Sequence, residues 1–233
     1  MKIIKKNSIS VLIIARNEQA TMEKVIDESL KVLPKLSEKY EILINDDASS
    51  DRTPMILDSY AKKYPFIKVY HQGKALGISG GLEFLYKKAK FEMTFTNAAD
   101  GQYTIKDLPR MIKKLDEGYD IVIGKRISKE KYNFSRRIIS FSYNEIPKIL
   151  FGVNLYDAGS NKLYKTQVLR RIKPISKSVF SEAERIIRAY KAGFRITSVP
   201  IKHFKRKKGK STIRTKLILS SITDMFRLYF SLR

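Results

Sequence analysis

The sequence predicts an α/β fold: a mostly parallel sheet with helices on both faces, followed by a C-terminal amphipathic helix. Three observations predict it. Apolar runs of strand length recur along the first half of the chain, residues 9–14 and 41–45 among them. Segments of helical period separate these runs. Acidic residues follow two of them directly: Asp46-Asp47, with Asp51 just beyond, and Asp100. Open α/β sheets bind ligands at that edge, where the strands end.

Residues 9–14 form the first strand in this reading. Residues 22–33 carry apolar positions at helical spacing and predict an amphipathic helix that Pro34 ends. Residues 41–45 predict the second strand. Thr53-Pro54 opens a helix to about residue 63, since proline suits the first helical turn. Residues 67–70 predict a third strand, 78–88 a helix and 93–96 a fourth strand. Residues 105–115 predict a helix stopped near Gly118, and 119–124 a further strand. Such alternation argues for a mostly parallel sheet covered on both faces. The second half is less regular: 135–151 and 182–192 predict helices, 195–201 a strand and 212–232 a terminal helix. No repeat or low-complexity linker interrupts the chain. The expected division is one domain over residues 1–210 and an amphipathic helix over 211–233, a membrane-surface or packing element.

Of the 233 residues, 43% are hydrophobic, enough to bury a core of ordinary size. The chain has no cysteine, which excludes disulfides and thiolate metal sites. Its two histidines, His71 and His203, argue against a His-rich zinc site. A metal here would be a hard, oxygen-bound cation. Lys and Arg number 47 against 23 Asp and Glu, a net charge of +24. That excess implies a polyanionic partner: nucleic acid, an anionic membrane or phosphorylated substrates. The lysines ahead of residues 9–15 imitate a signal peptide, yet the apolar run is short and leads straight into Arg16-Asn17-Glu18 without a cleavage pattern. No segment reaches the roughly 18–20 uncharged apolar residues of a spanning helix.

The first strand ends Ile13-Ile14-Ala15-Arg16-Asn17-Glu18, with no glycine-rich dinucleotide turn, and the chain has no Gly-x-x-x-x-Gly-Lys-Ser/Thr loop. Gly73, Gly77, Gly80 and Gly81 fit neither pattern; the last two read as allowing close helix packing. The segment Asp46-Asp47-Ala48-Ser49-Ser50-Asp51-Arg52-Thr53 places carboxylates on a strand-to-helix turn. There they can accept hydrogen bonds from a ribose or a base. For Asp51 alone, capping the helix at Thr53 is an equal reading.

Further segments follow in order: Gly73-Lys74-Ala75-Leu76-Gly77, Ala99-Asp100-Gly101-Gln102, Gly124-Lys125-Arg126, Asp157-Ala158-Gly159-Ser160-Asn161, Val199-Pro200-Ile201 and Arg206-Lys207-Lys208-Gly209-Lys210-Ser211. Together the segments resemble glycosyltransferase family 2, with its GT-A fold, and within it the polyprenyl-phosphate sugar transferases of the dolichyl-phosphate mannose synthase kind. The resemblance implies that Ala15, Asn17 and Glu18 line the nucleotide pocket and that Asp47 binds the base or ribose. It makes Asp100 the last aspartate of an Asp-x-Asp metal motif, Mg²⁺ or Mn²⁺ the cofactor, and Gln102 a donor-binding residue. Ala98 stands where that motif has its first aspartate, and Asn97 is one place out of register on an alternating strand. One carboxylate with diphosphate oxygens and water still suffices for such an ion. A metal-independent or inactive homologue is the other reading of Ala98.

The resemblance also places Arg126, Arg136 and Ser140 on the acceptor lipid phosphate, and with Asp100 they form the expected catalytic set. Arginine bonds phosphate oxygens bidentately and a hydroxyl adds one donor; the pair Arg136-Arg137 equally suits a solvated helix face. Residues 202–216 hold eight Lys or Arg and no acid. The resemblance assigns Arg206 and Ser211 to the donor diphosphate, with Lys205 and His203 as lesser contacts. A phosphate monoester has a second pKa near ~6, so such an acceptor needs no dedicated base. A sugar hydroxyl would need one, and Glu182 or Glu184 are the candidates; both also read as a charged helix start. In the terminal helix, Ile218, Ile222, Met225, Tyr229 and Leu232 make an apolar stripe beside Phe226. The stripe suits either the membrane interface or packing on the domain.

The resulting expectation is an inverting, metal-dependent transfer of a sugar from a UDP- or GDP-sugar to a polyprenyl phosphate. Similar enzymes often continue into transmembrane helices; here peripheral attachment at the cytoplasmic membrane face is expected. A transferase acting on a glycan hydroxyl is the alternative. Nucleic-acid binding, which charge alone would suit, leaves the ordered acidic segments unexplained. The oligomeric state is left open.

Overall fold

The computed structural model describes residues 8–127, 145–204 and 215–232. Seven strands form one sheet in the order β3-β2-β1-β4-β6-β5-β7. Strands β1 (Ile9–Ala15), β2 (Tyr40–Asp46), β3 (Ile67–His71) and β4 (Met93–Ala98) run parallel, as do β5 (Ile121–Arg126) and β7 (Ile196–Ile201). Strand β6 (Lys162–Lys165) lies antiparallel between β4 and β5. The helices are α1 (Met22–Leu36), α2 (Thr53–Lys63), α3 (Gly77–Lys88), α4 (Leu108–Asp116), α5 (Thr166–Arg171), α6 (Ser181–Lys191) and α7 (Thr215–Ser231). The predicted α/β class, mostly parallel with a C-terminal helix, is the one observed.

Strand periodicity divides the core into two layers. Ile9, Val11, Ile13 and Ala15 of β1 face α1, α2 and α4, while Leu12 faces α3, α5 and α6. On β2, Ile42 and Ile44 face the first layer and Leu43 the second. Burial on both faces is the reason these strands read as continuous apolar runs. Gly81 brings α3 close to the sheet: a Cβ there would lie 3.0 Å from Asn45 Nδ2 and 3.2 Å from Ile14 Cδ1. The expected close packing at Gly81 is therefore observed.

Several elements differ from expectation. Pro34 lies inside α1 rather than ending it. A proline in the last turn removes one N–H bond, to the carbonyl of Leu30. The helix still closes, since Leu36 is buried and the Ser37 amide donates to Leu33 O at 3.0 Å. Before α4, residues Ile105–Asp107 form a 3₁₀ turn. Pro109 has no N–H to offer the Ile105 carbonyl, and the Leu108 amide takes that carbonyl instead. Strand β6 and helix α5 escaped the sequence reading because each is so short, four and six residues. Of the helix expected over 135–151, residues 145–151 are helical and 135–144 lie outside the described residues.

In α7 the buried line is Ser221, Met225 and Leu228. Tyr229 packs edge-on against Phe151. Phe226 and Leu232 are exposed, so the inward face is rotated from the expected stripe; the side chain of Ile218 lies outside the described residues. The packing role thus accounts for one face of the helix.

Gly124 of β5 is as tightly enclosed as Gly81. A Cβ there would lie 2.5 Å from Cδ1 of the buried Ile201 and 3.2 Å from the Asn161 carbonyl oxygen. Gly124→Ala is expected to lower unfolding free energy by about 1–3 kcal/mol, the range for overpacking. Urea denaturation measures it, and Ile201→Val in the same chain should recover part of the loss.

Candidate functional site

The loops leaving the carboxyl ends of β1 and β2 are sewn together. Asn17 has φ +56°, a left-handed conformation that asparagine tolerates better than most residues. Its amide donates to Ser49 Oγ at 3.0 Å, and its Oδ1 accepts the Ser50 amide at 2.7 Å. The Glu18 amide donates to Thr53 Oγ1 at 2.9 Å, and the Arg52 amide donates to Gln19 Oε1 at 3.0 Å. Asp51 accepts the Thr53 amide at 2.9 Å and the Gln19 amide at 3.3 Å. It therefore caps the start of α2 and also bridges to the β1 loop. Burial pushes the Asp51 carboxyl up, but the bonds from Thr53 and Gln19 outweigh it and hold the group below its ordinary value.

Asp46 and Asp47 have different tasks. Asp46 is buried; it accepts the Ser49 amide at 3.1 Å and contacts His71 Nδ1 at 2.7 Å. Asp47 is 2% exposed, and its two oxygens accept the Leu76 and Gly77 amides at 2.6 and 3.1 Å. It thereby clasps the start of α3, where Gly77 takes φ +72°. A carboxylate at a helix N-terminus also complements the helix dipole.

Asp100 follows β4. Its Oδ1 accepts the Gln102 amide at 3.0 Å. The Gln102 side chain lies 3.2 Å from His203 Nε2, and the Phe204 amide donates to Gln102 O at 2.9 Å. Asp100, Gln102 and His203, distant in sequence, thus meet at one edge beside the β1 loop, where Gly101 lies against Thr21. Among the described residues, no group of three His, Cys, Asp or Glu could enclose a metal. The donor set is one carboxylate with an imidazole beyond Gln102, which fits an ion that takes its other ligands from phosphate and water. Arg136, Ser140, Lys205, Arg206 and Ser211 lie outside the described residues.

On β5, Arg126 Nε and Nη2 donate to Asp157 at 2.5 and 2.9 Å, a bidentate pair. The sequence shows Asp157 only as part of a segment; its charge, opposite to that of Arg126, is the signal that could pair the two. Ser160 carries the polar connection inward: its hydroxyl, a single donor, lies within hydrogen-bond reach of the carbonyls of Gly124 and Asp157. Lys162, 3% exposed, donates to Ser160 O at 3.0 Å and lies 3.5 Å from Glu182. Glu182 accepts the hydroxyls of Tyr86 and Tyr164 at 2.9 and 3.0 Å and pairs with Arg185. Burial raises the Glu182 carboxyl, but Lys162 and Arg185, with the two tyrosines, outweigh it and hold it low. Glu184 accepts the Ile175 and Ser176 amides and Arg188 Nε. Burial raises its carboxyl too, and those bonds hold it below the ordinary range. The two glutamates are thus both engaged in structural bonds.

A separate groove of about 410 Å³ opens at the other edge of the sheet, where β4 begins, lined by Lys90, Glu92, Lys165, Thr166 and Arg170 among others. None of the expected site residues lines it.

Residues 10–173 match the family described as Glycosyl transferase family 2. A dodecaprenyl-phosphate galacturonate synthase from Rhizobium johnstonii is 23% identical over 232 residues, covering 97% of this chain and 67% of the relative. An undecaprenyl-phosphate mannosyltransferase from Micrococcus luteus is 27% identical over 198 residues, covering 80% of this chain and 81% of the relative. Among solved structures, glucosyl-3-phosphoglycerate synthase from Mycobacterium tuberculosis, in complex with Mn²⁺, UDP-glucose and phosphoglyceric acid, superposes with a TM-score of 0.76. It is 16% identical, with 97% of this chain and 80% of that chain covered, a likeness of fold.

Glu182→Ala would leave Lys162 and Arg185 buried without their shared carboxylate. The expected loss of stability is about 3–5 kcal/mol, read by chemical denaturation at neutral pH. Because the folded-state carboxyl is held low, its contribution is complete above the unfolded glutamate value near ~4.3 and disappears as pH falls through the lower folded value. The difference between wild type and Glu182→Gln should accordingly shrink in acid.

Proposed function

Because the chain belongs to glycosyl transferase family 2, we propose that it moves a sugar, with inversion, from a nucleoside-diphosphate donor to a polyprenyl phosphate. The observation that carries this reading is the meeting of the Asn17 loop, the Asp46-Asp47 turn and the Asp100–Gln102–His203 group at one edge of a GT-A-type sheet. The names of the relatives above supply the acceptor class.

In this reading the loops carrying Ala15, Asn17 and Glu18 hold the nucleoside of a UDP- or GDP-sugar. Asp47 contributes through the Leu76–Gly77 backbone that it holds. Asp100, with His203 beyond Gln102, would hold Mg²⁺ or Mn²⁺, which when bound draws charge from the departing diphosphate. Arg126, oriented by Asp157, faces the acceptor phosphate, with Arg136 and Ser140 as its partners and Arg206 and Ser211 on the donor side. An ionised phosphate attacks without a general base, and the commitment of Glu182 and Glu184 to structural bonds favours that acceptor over a sugar hydroxyl.

No helix among the described residues is long and apolar enough to cross a membrane. Phe226 and Phe230 are exposed on α7, as is Ile149 near its packing partner Phe151, in a chain of net charge +24. An apolar face within a cationic protein suits the surface of an anionic bilayer. The acceptor would be met there, at the cytoplasmic face.

A panel of UDP- and GDP-sugars with a short polyprenyl phosphate, with and without Mn²⁺, tests the reaction. One donor is expected to yield a lipid-linked sugar, and Asp100→Asn is expected to lose about a hundredfold in rate. Failure of every donor to be transferred or hydrolysed would end the enzyme reading, and salt-sensitive DNA binding in its place would favour a nucleic-acid protein. In flotation with anionic vesicles, Phe226→Ser with Phe230→Ser should weaken binding about tenfold or more; unchanged flotation would remove α7 from the membrane contact.

A further inference from the structure

His71 ends β3 in register with Asp46 of β2. Its Nδ1 lies 2.7 Å from Asp46 Oδ2 and its Nε2 lies 3.0 Å from Asp58 Oδ1 on α2. An ionised carboxylate only accepts hydrogen bonds, and a neutral imidazole has only one N–H. Both contacts are satisfied together by the imidazolium alone. Beyond the ring, the second oxygen of Asp46 accepts the Ser49 amide, and Ser49 Oγ accepts the Asn17 amide. His71 is therefore joined to the Asn17 loop through Asp46 and Ser49.

We infer that the imidazolium of His71 is a positioning residue for the nucleotide-binding turn. It holds Asp46 in the orientation that fixes Ser49 and Asn17, so that nucleotide affinity falls when the ring loses its proton. This role rests on the donor reading above. Asp46 from β2 and Asp58 from α2 are the charged groups that face the ring among the described residues. The bond to Asp46 raises the pKa above its ordinary value, burial opposes this, and Asp58 adds to the rise. The side chain of Asp46 is 4% exposed and that of Asp58 is 66% exposed. Asp46 is thus the shielded partner and Asp58 the tuning one. With the folded value above the unfolded value near ~6.5, the stabilisation is complete below the unfolded value and is lost as pH rises through the folded one.

The chain has two histidines, so the His71 imidazole signal in an NMR titration is identified by its loss in His71→Gln. Over the same pH range, calorimetry gives the affinity for UDP and for GDP with Mn²⁺ in wild type, His71→Gln, His71→Arg and Asp58→Asn. His203 is present unchanged in all four proteins, so the differences between them isolate His71. Wild-type affinity is expected to fall about five- to tenfold through the His71 midpoint, the scale of one charge-assisted hydrogen bond. His71→Gln should bind weakly at every pH without that step. His71→Arg, permanently charged and forked, should restore tight binding without the step. Asp58→Asn alters an exposed side chain and should move the NMR midpoint and the affinity step to lower pH together. Nucleotide binding with the same pH profile in wild type and His71→Gln would overturn the positioning role and leave the donor reading standing. Tight binding to a protein whose His71 is already neutral would do the same. Absence of nucleotide binding at every pH would overturn the donor reading and this role with it.

Discussion

The left-handed turn at Asn17 is the constraint on which the candidate site depends. With its φ at +56°, the residue turns its amide toward Ser49 and its side-chain carbonyl toward Ser50. The loops after β1 and β2 are joined further by the bonds of Glu18 to Thr53 and of Gln19 to Asp51 and Arg52, and by one backbone bond, from the Asp47 amide to Ala15 O at 2.8 Å. Ala48 and Tyr156 also take positive φ, +57° and +56°, without the local side-chain bonding that eases asparagine into that region. All three lie in loops at the edge that carries the candidate site, ahead of or beside Asp47 and Asp157. Strain of this kind persists where surrounding bonds over-determine the backbone, and it gathers at functional sites.

A second constraint runs inward from the edge. Arg126 pairs with Asp157, Ser160 ties that loop to the Gly124 backbone, and Lys162 reaches from Ser160 to Glu182. Arg185, fully buried, joins Glu182, Glu83 and the Ile172 carbonyl and lies over the Tyr86 ring. Buried charges are costly unless paired and hydrogen-bonded, and each of these is. The effect is that the loop orienting Arg126 is anchored to α6 through β6, a strand inserted against the direction of its neighbours.

Much of this was legible in the sequence. Apolar runs buried on both faces exposed β1, β2 and β4, and Pro54 marked the start of α2. Asp46, Asp47 and Asp100 marked the carboxyl edge of the parallel strands because they directly follow apolar runs. Strand β6 was not legible: only Leu163 and Tyr164 lie between its terminal lysines, too short a pattern to have a period. The 3₁₀ turn before α4 was hidden because its cause, the missing N–H of Pro109, acts through geometry and leaves the apolar spacing unchanged. The partners of His71 and Arg126 were hidden because they come from other elements. Asp58 reads as an ordinary surface acid, and Asp157 as one member of a family-like segment with no partner, until topology brings them to the ring and the guanidinium.

The proposed chemistry is assigned to one edge of the sheet, where the two sewn loops and the Asp100–Gln102–His203 group stand together, with the opposite groove as its natural control. Hydrogen–deuterium exchange with a nucleoside diphosphate and Mn²⁺ tests that placement most directly. Slowed exchange is expected in residues 15–21, 46–53 and 100–102, with no change around Lys90, Lys165 and Arg170. Protection confined to that groove, with the three loops unaffected, would contradict that placement.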